Sequence, residues 1–139
     1  MRPRLVPELI CTDLKRSCAF YCDVAGFAVR YAREEERFVL LEREGAQLML
    51  EEPASASRLL PAGATLEPPY GRGMHLEIDV DDVGALHDAT VRAGLEPLLP
   101  LEDRWYERAD DAVLVRQFAV QDPDGYVLRF TEELEARRG

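Results

Sequence analysis

The chain has 139 residues, of which 47% are hydrophobic and 32% charged, a globular balance with the length of one domain. Its net charge of −10, from 27 acids against 17 bases, argues against a nucleic-acid partner, because phosphate backbones are met by basic surfaces. No run approaches the length of a membrane span, and Met1-Arg2-Pro3-Arg4 carries charge without a following apolar stretch, so neither membrane association nor a secretory signal is expected. The three cysteines, Cys11, Cys18 and Cys22, form no metal-ligating pattern and are expected to be reduced thiols in the cytoplasm.

In chain order, a strand-like run (Leu5 to Cys11) leads to Asp13, an amphipathic stretch (Leu14 to Val24) and Gly26. Strands are then expected over Ala28 to Ala32, Phe38 to Glu42 and Ala46 to Glu51, with Glu44-Gly45 turning into the last. Residues 54–72 are rich in Pro, Ala and Gly and read as a connection. The pattern then repeats. Met74 to Val80 leads to Asp81, an amphipathic stretch (Val83 to Ala93) and Gly94. Strands follow around Arg104 to Glu107, over Val113 to Val120 and over Tyr126 to Thr131, with Asp122-Pro123-Asp124-Gly125 as the final turn. Asp13 and Asp81 stand where a helix N-cap belongs, and Gly26 and Gly94 where a left-handed residue closes a helix. The charged tail, Glu132 to Gly139, reads as a solvated helical end.

The expectation is therefore an α+β fold of two β-α-β-β-β modules with curved, cleft-lining mixed sheets and helices on the outer face. Module one covers about 4–53 and module two about 73–134 of a single domain spanning 1–139. Period-two alternation points Pro7, Leu9 and Cys11 toward the core and Val6, Glu8 and Ile10 away from it. It does the same for Met74, Leu76, Ile78 and Val80 against His75, Glu77 and Asp79. Arg129 falls on the groove face opposite Leu128 and Phe130, where a guanidinium needs a carboxylate: Glu8, Glu51, Glu77 or a ligand's.

Several segments in combination carry a family resemblance. They are Val6-Pro7-Glu8-Leu9 before Thr12-Asp13-Leu14-Lys15-Arg16-Ser17, then Ala19-Phe20-Tyr21 and Ala25-Gly26-Phe27, then Leu48-Met49-Leu50-Glu51. The strongest is the run from Arg116-Gln117-Phe118 through Asp122-Pro123-Asp124-Gly125 to Leu128-Arg129-Phe130. Over roughly residues 5–134 the chain resembles the vicinal oxygen chelate superfamily, which holds glyoxalase I, extradiol dioxygenases, fosfomycin-resistance transferases and bleomycin-resistance proteins.

The resemblance implies a divalent-metal site whose ligand positions correspond here to Val6, Met49, His75 and Arg129. Only His75 among these can donate to a metal, and a lone histidine is not a metal site. The resemblance is therefore closest to the metal-free, bleomycin-resistance-like branch. It implies a homodimer that sequesters a small molecule without turnover, and the expected cofactor and catalytic residues are none. The acidic balance suits a cationic, partly aromatic ligand, and the expected ligand-binding residues are Glu8, Phe38, Met49, Glu51, His75, Glu77, Trp105, Tyr106 and Arg129.

Phe38 matches an aromatic position of the bleomycin-resistance pattern, whereas Leu114, four residues before Phe118, stands near where that pattern carries Trp-Gly. Trp105 reads either as a cap on the groove or as an anchor at the dimer interface. Two alternatives stay open: a metal-dependent lyase, dioxygenase or thiol transferase with relocated ligands, built on His75 with Glu8 or Glu77, and a scaffold or regulatory module.

Overall fold

The computed structural model describes residues 2–138, with the backbone alone at 55–57; Gly139 of the expected tail lies outside the described residues. The chain divides into two compact units, Met1–Tyr70 with Asp122–Gly125, and Gly71–Gln121 with Tyr126–Gly139. Each holds one β-α-β-β-β module with a four-stranded mixed sheet, so the fold is α+β.

The first unit contains β1 (Glu8–Ile10), α1 (Leu14–Cys18), β2 (Ala28–Arg33), β3 (Phe38–Arg43), β4 (Ala46–Glu51) and the short helix α2 (Pro53–Ala56). Its sheet runs β1-β4-β3-β2, with β1 parallel to β4 and the other pairs antiparallel. Asp13 caps α1 by accepting from the amides of Lys15 and Arg16. A π-helical turn continues the helix over Ala19–Val24 and buries the neighbouring Phe20 and Tyr21. The Tyr21 ring meets Phe20 and Phe27 edge-on at 5.0 and 5.8 Å. Leu9, Val39, Leu41, Leu48 and Leu50 are buried with them, as the alternation requires.

The turn Asp122–Gly125 belongs to this unit through its own hydrogen bonds. Asp124 accepts from the Thr12 amide at 3.1 Å and the Thr12 hydroxyl at 2.5 Å, and the buried Tyr21 hydroxyl donates to Asp122 at 2.7 Å. Only glycine fits at Gly125: its φ is +98°, and a Cβ there would lie 2.4 Å from the Pro69 Cβ.

The second unit contains β5 (His75–Asp79), α3 (Val83–Arg92), β6 (Leu99–Glu107), β7 (Asp111–Gln121) and β8 (Val127–Arg138), with sheet order β5-β8-β7-β6. Again the first strand is parallel to the last, and β7 runs antiparallel to both neighbours. Ile78, Val80, Val83, Leu86, Phe118, Val120, Leu128 and Phe130 form its core.

Two expectations are corrected here. Asp82, not Asp81, is the N-cap, accepting from the Ala85 amide at 3.0 Å. The charged tail is not helical but the far half of β8, paired along β7 from Ala112↔Arg137 to Leu114↔Glu135. Pairing with a partner strand has overridden local helix preference.

Candidate functional site

In module two, period-two alternation sends Arg129 and Glu77 to the face opposite Leu128, Phe130 and Ile78, and the β5–β8 register sets the two side by side. The Arg129 guanidinium donates to Glu77 at 2.9 Å, to the Gln117 carbonyl oxygen at 2.7 Å and, less closely, to His75 Nε2 at 3.4 Å. Gln117 is 1% exposed and donates its amide protons to Glu102 at 2.8 Å and the Tyr106 hydroxyl at 2.6 Å. A burial this deep is tolerated because both ends of the amide are bonded. Of the three carboxylates the sequence offered for Arg129, the one it meets is Glu77.

This network forms part of the wall of a cavity of about 430 Å³ lined by Glu77, Arg129, Tyr106, Val113, Val115, Asp79, Thr131, Arg108 and Glu133. Both cations are matched, Arg129 by Glu77 and Arg108 by Asp111 at 2.6 Å. Asp79 and Glu133 make no ion pair among the described residues, although Glu133 lies in the field of Arg108. The pocket thus pairs apolar valine walls and a phenol ring with an excess of negative charge, a setting that favours a cation with an apolar flank.

Trp105 precedes Tyr106 on β6 and stands on the other face of the sheet, with the Arg137 guanidinium 4.0 Å from its ring centroid. It does not line this cavity, and neither does His75, which is exposed.

In module one, the register places Glu8 beside Met49, Ile10 beside Glu51, and Phe38 beside Glu51, so all four expected residues share one sheet face. The Glu51 carboxyl is hydrogen-bonded to that of Glu8. This contact first, then burial, pushes its pKa up to about 7, with Glu36 adding to the shift and Arg33 opposing it. Phe38 is 1% exposed and is covered by Arg33, whose guanidinium carbon lies 3.9 Å from the ring centroid. A separate hollow of about 420 Å³ in this module has Leu14, Cys18, Val29, Phe38 and Val39 among its lining and charged Lys15, Glu34 and Arg37 beside them.

Gln117, Glu102, Asp79, Arg108 and Glu133 join the site without having been singled out as binding residues. Parity along β5 and β7 was the available signal, since Asp79 shares a face with Glu77, and Gln117 with Val113 and Val115. The thiols offer no nucleophile: burial pushes Cys11 up to about 12 and also raises Cys18 and Cys22.

Nor does the donor set fit a metal at the implied positions. Val6 and Met49 bring no hard donor, Arg129 is a cation tied to Glu77, and the described residues contain no group of three His, Cys, Asp or Glu side chains able to hold an ion. No helix among the described residues is long and apolar enough to cross a membrane.

Residues 5–130 match the family model of the Glyoxalase/Bleomycin resistance protein/Dioxygenase superfamily. Bleomycin resistance proteins of Geobacillus stearothermophilus and Staphylococcus aureus are each 27% identical over 137 residues, covering 94% of this chain and 97% of theirs. The crystal structure of TioX from Micromonospora sp. ML1 shares the fold with a TM-score of 0.67 at 23% identity, covering 95% of this chain and 99% of that one. The chain therefore belongs to the Glyoxalase/Bleomycin resistance protein/Dioxygenase superfamily.

Proposed function

We propose that this chain binds a small organic cation with an apolar or aromatic part and withholds it from its target without chemical turnover, as a bleomycin-resistance-like protein. The observation that carries the reading is the module-two cavity. Arg129 stands at a position that would hold a metal ligand, yet it is spent internally on Glu77 and Gln117, while Asp79 and Glu133 leave the pocket acidic. Such a site attracts and orients a cation but presents neither a Lewis acid nor an activated nucleophile. Relatives called bleomycin resistance proteins support the same direction. The ligand-binding set is Glu77, Tyr106 and Arg129 with the neighbouring His75, and in module one Glu8, Phe38, Met49 and Glu51. Trp105 takes the second of its two expected roles, an anchor between copies of the chain.

The reading treats the two units as one functional domain and the working form as a homodimer in the cytoplasm. The exposed apolar side chains of Leu98, just before β6, and Leu101, on the same edge strand as Trp105, suit burial against a second copy, and three free thiols suit a reducing compartment.

Calorimetric titration with metal-free and with copper-loaded bleomycin tests it. The expected result is saturable heat, weakened by Asp79→Asn and Glu133→Gln, with the ligand recovered unaltered by mass spectrometry. Absence of heat and of any Trp105 fluorescence change at high micromolar ligand would reject bleomycin. A modified product would reject sequestration.

A further inference from the structure

Phe38 is a candidate ligand contact, yet its ring is already in use. Arg33 pairs with Phe38 across β2 and β3, and Phe38 pairs with Glu51 across β3 and β4. Cation, ring and carboxylate therefore lie in one row on one face of the sheet. The guanidinium carbon sits 3.9 Å from the Phe38 centroid and 5.9 Å from that of Tyr31. The two rings stand 6.0 Å apart at a tilt of 32°. Glu36, in the 3-10 turn Glu34–Glu36, accepts from Arg33 Nε at 2.6 Å. A planar cation lying on an aromatic face among carboxylates is the bound state expected of a ligand amidinium, with the chain's own side chain as the occupant.

We infer that Phe38, Tyr31, Glu36 and Glu51 form a planar-cation seat that Arg33 fills in the free protein, and that a ligand amidinium or guanidinium enters by displacing it. Arg33 can leave readily. Its strand is the edge of the sheet and its side chain is 44% exposed, so it can swing into solvent, and its departure uncovers one face of the Phe38 ring for the incoming group. The self-contact sets specificity, because an incoming group must outcompete a guanidinium, and flat cations do so better than ammonium groups. It also lowers apparent affinity by the fraction of time the seat is filled. The inference rests on the proposed function only in taking the ligand to be cationic.

The test uses benzamidine, a planar amidinium, titrated by NMR into the whole protein and into single variants. Arg33→Ala should tighten binding about three-fold to ten-fold. Arg30→Ala is the control: it removes the same charge from the same strand, where Arg30 pairs with Glu42 at 2.6 Å, and should change affinity by less than about two-fold. Tyr31→Ala in the Arg33→Ala background should surrender part of the gain, and Tyr31 is exposed enough for the variant to fold. In the wild type, benzamidine should move the Arg33 side-chain resonances away from their ring-shifted positions. Equal gains from Arg33→Ala and Arg30→Ala, or no gain from either, would overturn the seat. Bleomycin failing to bind while benzamidine behaves as expected would reject the proposed function and leave this inference standing.

Discussion

The two modules share a frame and differ on the face it presents. In each, an Asp caps the helix, and a Glu takes the first helical amide, from just beyond the last strand in module one and from within it in module two. Glu52 accepts from Leu14 at 2.8 Å and Glu132 from Val83 at 3.0 Å, and these glutamates lie three residues past Met49 and Arg129 respectively. The pocket faces have parted company. Module two gathers Arg129, Glu102 and Tyr106 around one buried amide, whereas module one gathers Glu36 and the Glu8–Glu51 pair about a guanidinium that lies on Phe38 and near Tyr31. Capping and the helix-side core set the frame, and they leave the residues of the opposite face freer to change because those residues take no part in either.

That contrast breaks most sharply at Gln117. Gln117→Leu keeps the volume but leaves the Arg129 guanidinium, Glu102 and Tyr106 each short of a partner. Urea unfolding followed by Trp105 fluorescence should show a loss of about 2–3 kcal/mol. An effect under about 0.5 kcal/mol would mean that water replaces the amide freely and that the wall is not preorganised. Next in size is Tyr21→Phe in the first unit, which removes a buried bond to the Asp122 carboxylate and should cost about 1.5–2 kcal/mol in the same assay.

The frame was legible because it depends on residue types with one strong local reason each. Gly26 and Gly94 do take left-handed φ values, +78° and +82°, and β3 and β4 begin where alternation placed them. Adjacent Asp81 and Asp82 offered two equal caps, and only the backbone geometry of Asp82 chose between them. β6 begins at Leu99, five residues before the expected Arg104, because an edge strand tolerates Pro100 and a register shift between Leu99 and Glu102. Glu132 to Arg138 carries no apolar stripe, so nothing local marks it as a strand. The face was legible only as parity. Alternation put Glu77 and Arg129 on one side of the sheet, but it could not show Gln117 as their hub or Arg33 on Phe38, since both depend on register between strands.

The matched caps sharpen the comparison at smaller amplitude. Asp13→Ala and Asp82→Ala should each cost about 1 kcal/mol by thermal or urea unfolding. The costs should be similar, because Glu52 and Glu132 continue to hold the first amide of each helix. A several-fold difference would mean that the two helix starts are not equivalent.

The smallest effect separates two neighbours on β4 and its exit. Glu51 has a pKa raised from 4.5 to about 7 by its contact with Glu8, by burial and by Glu36. The folded chain therefore holds more protons than the unfolded chain between those values, and this contribution is full below pH 4.5 and lost as pH rises through 7. Glu52 titrates in the opposite sense. Arg37, at 3.0 Å, and the Leu14 amide hold its pKa below the ordinary 4.5, so its contribution is present above that value and lost as pH falls through the depressed one. Unfolding measured across pH should show Glu51→Gln flattening the decline toward neutral pH, and Glu52→Gln flattening the acid limb alone. If Glu51→Gln left the neutral decline intact, the Glu8–Glu51 proton would not be shared in solution, and the crowding of carboxylates that sets module one's face apart would have no energetic consequence.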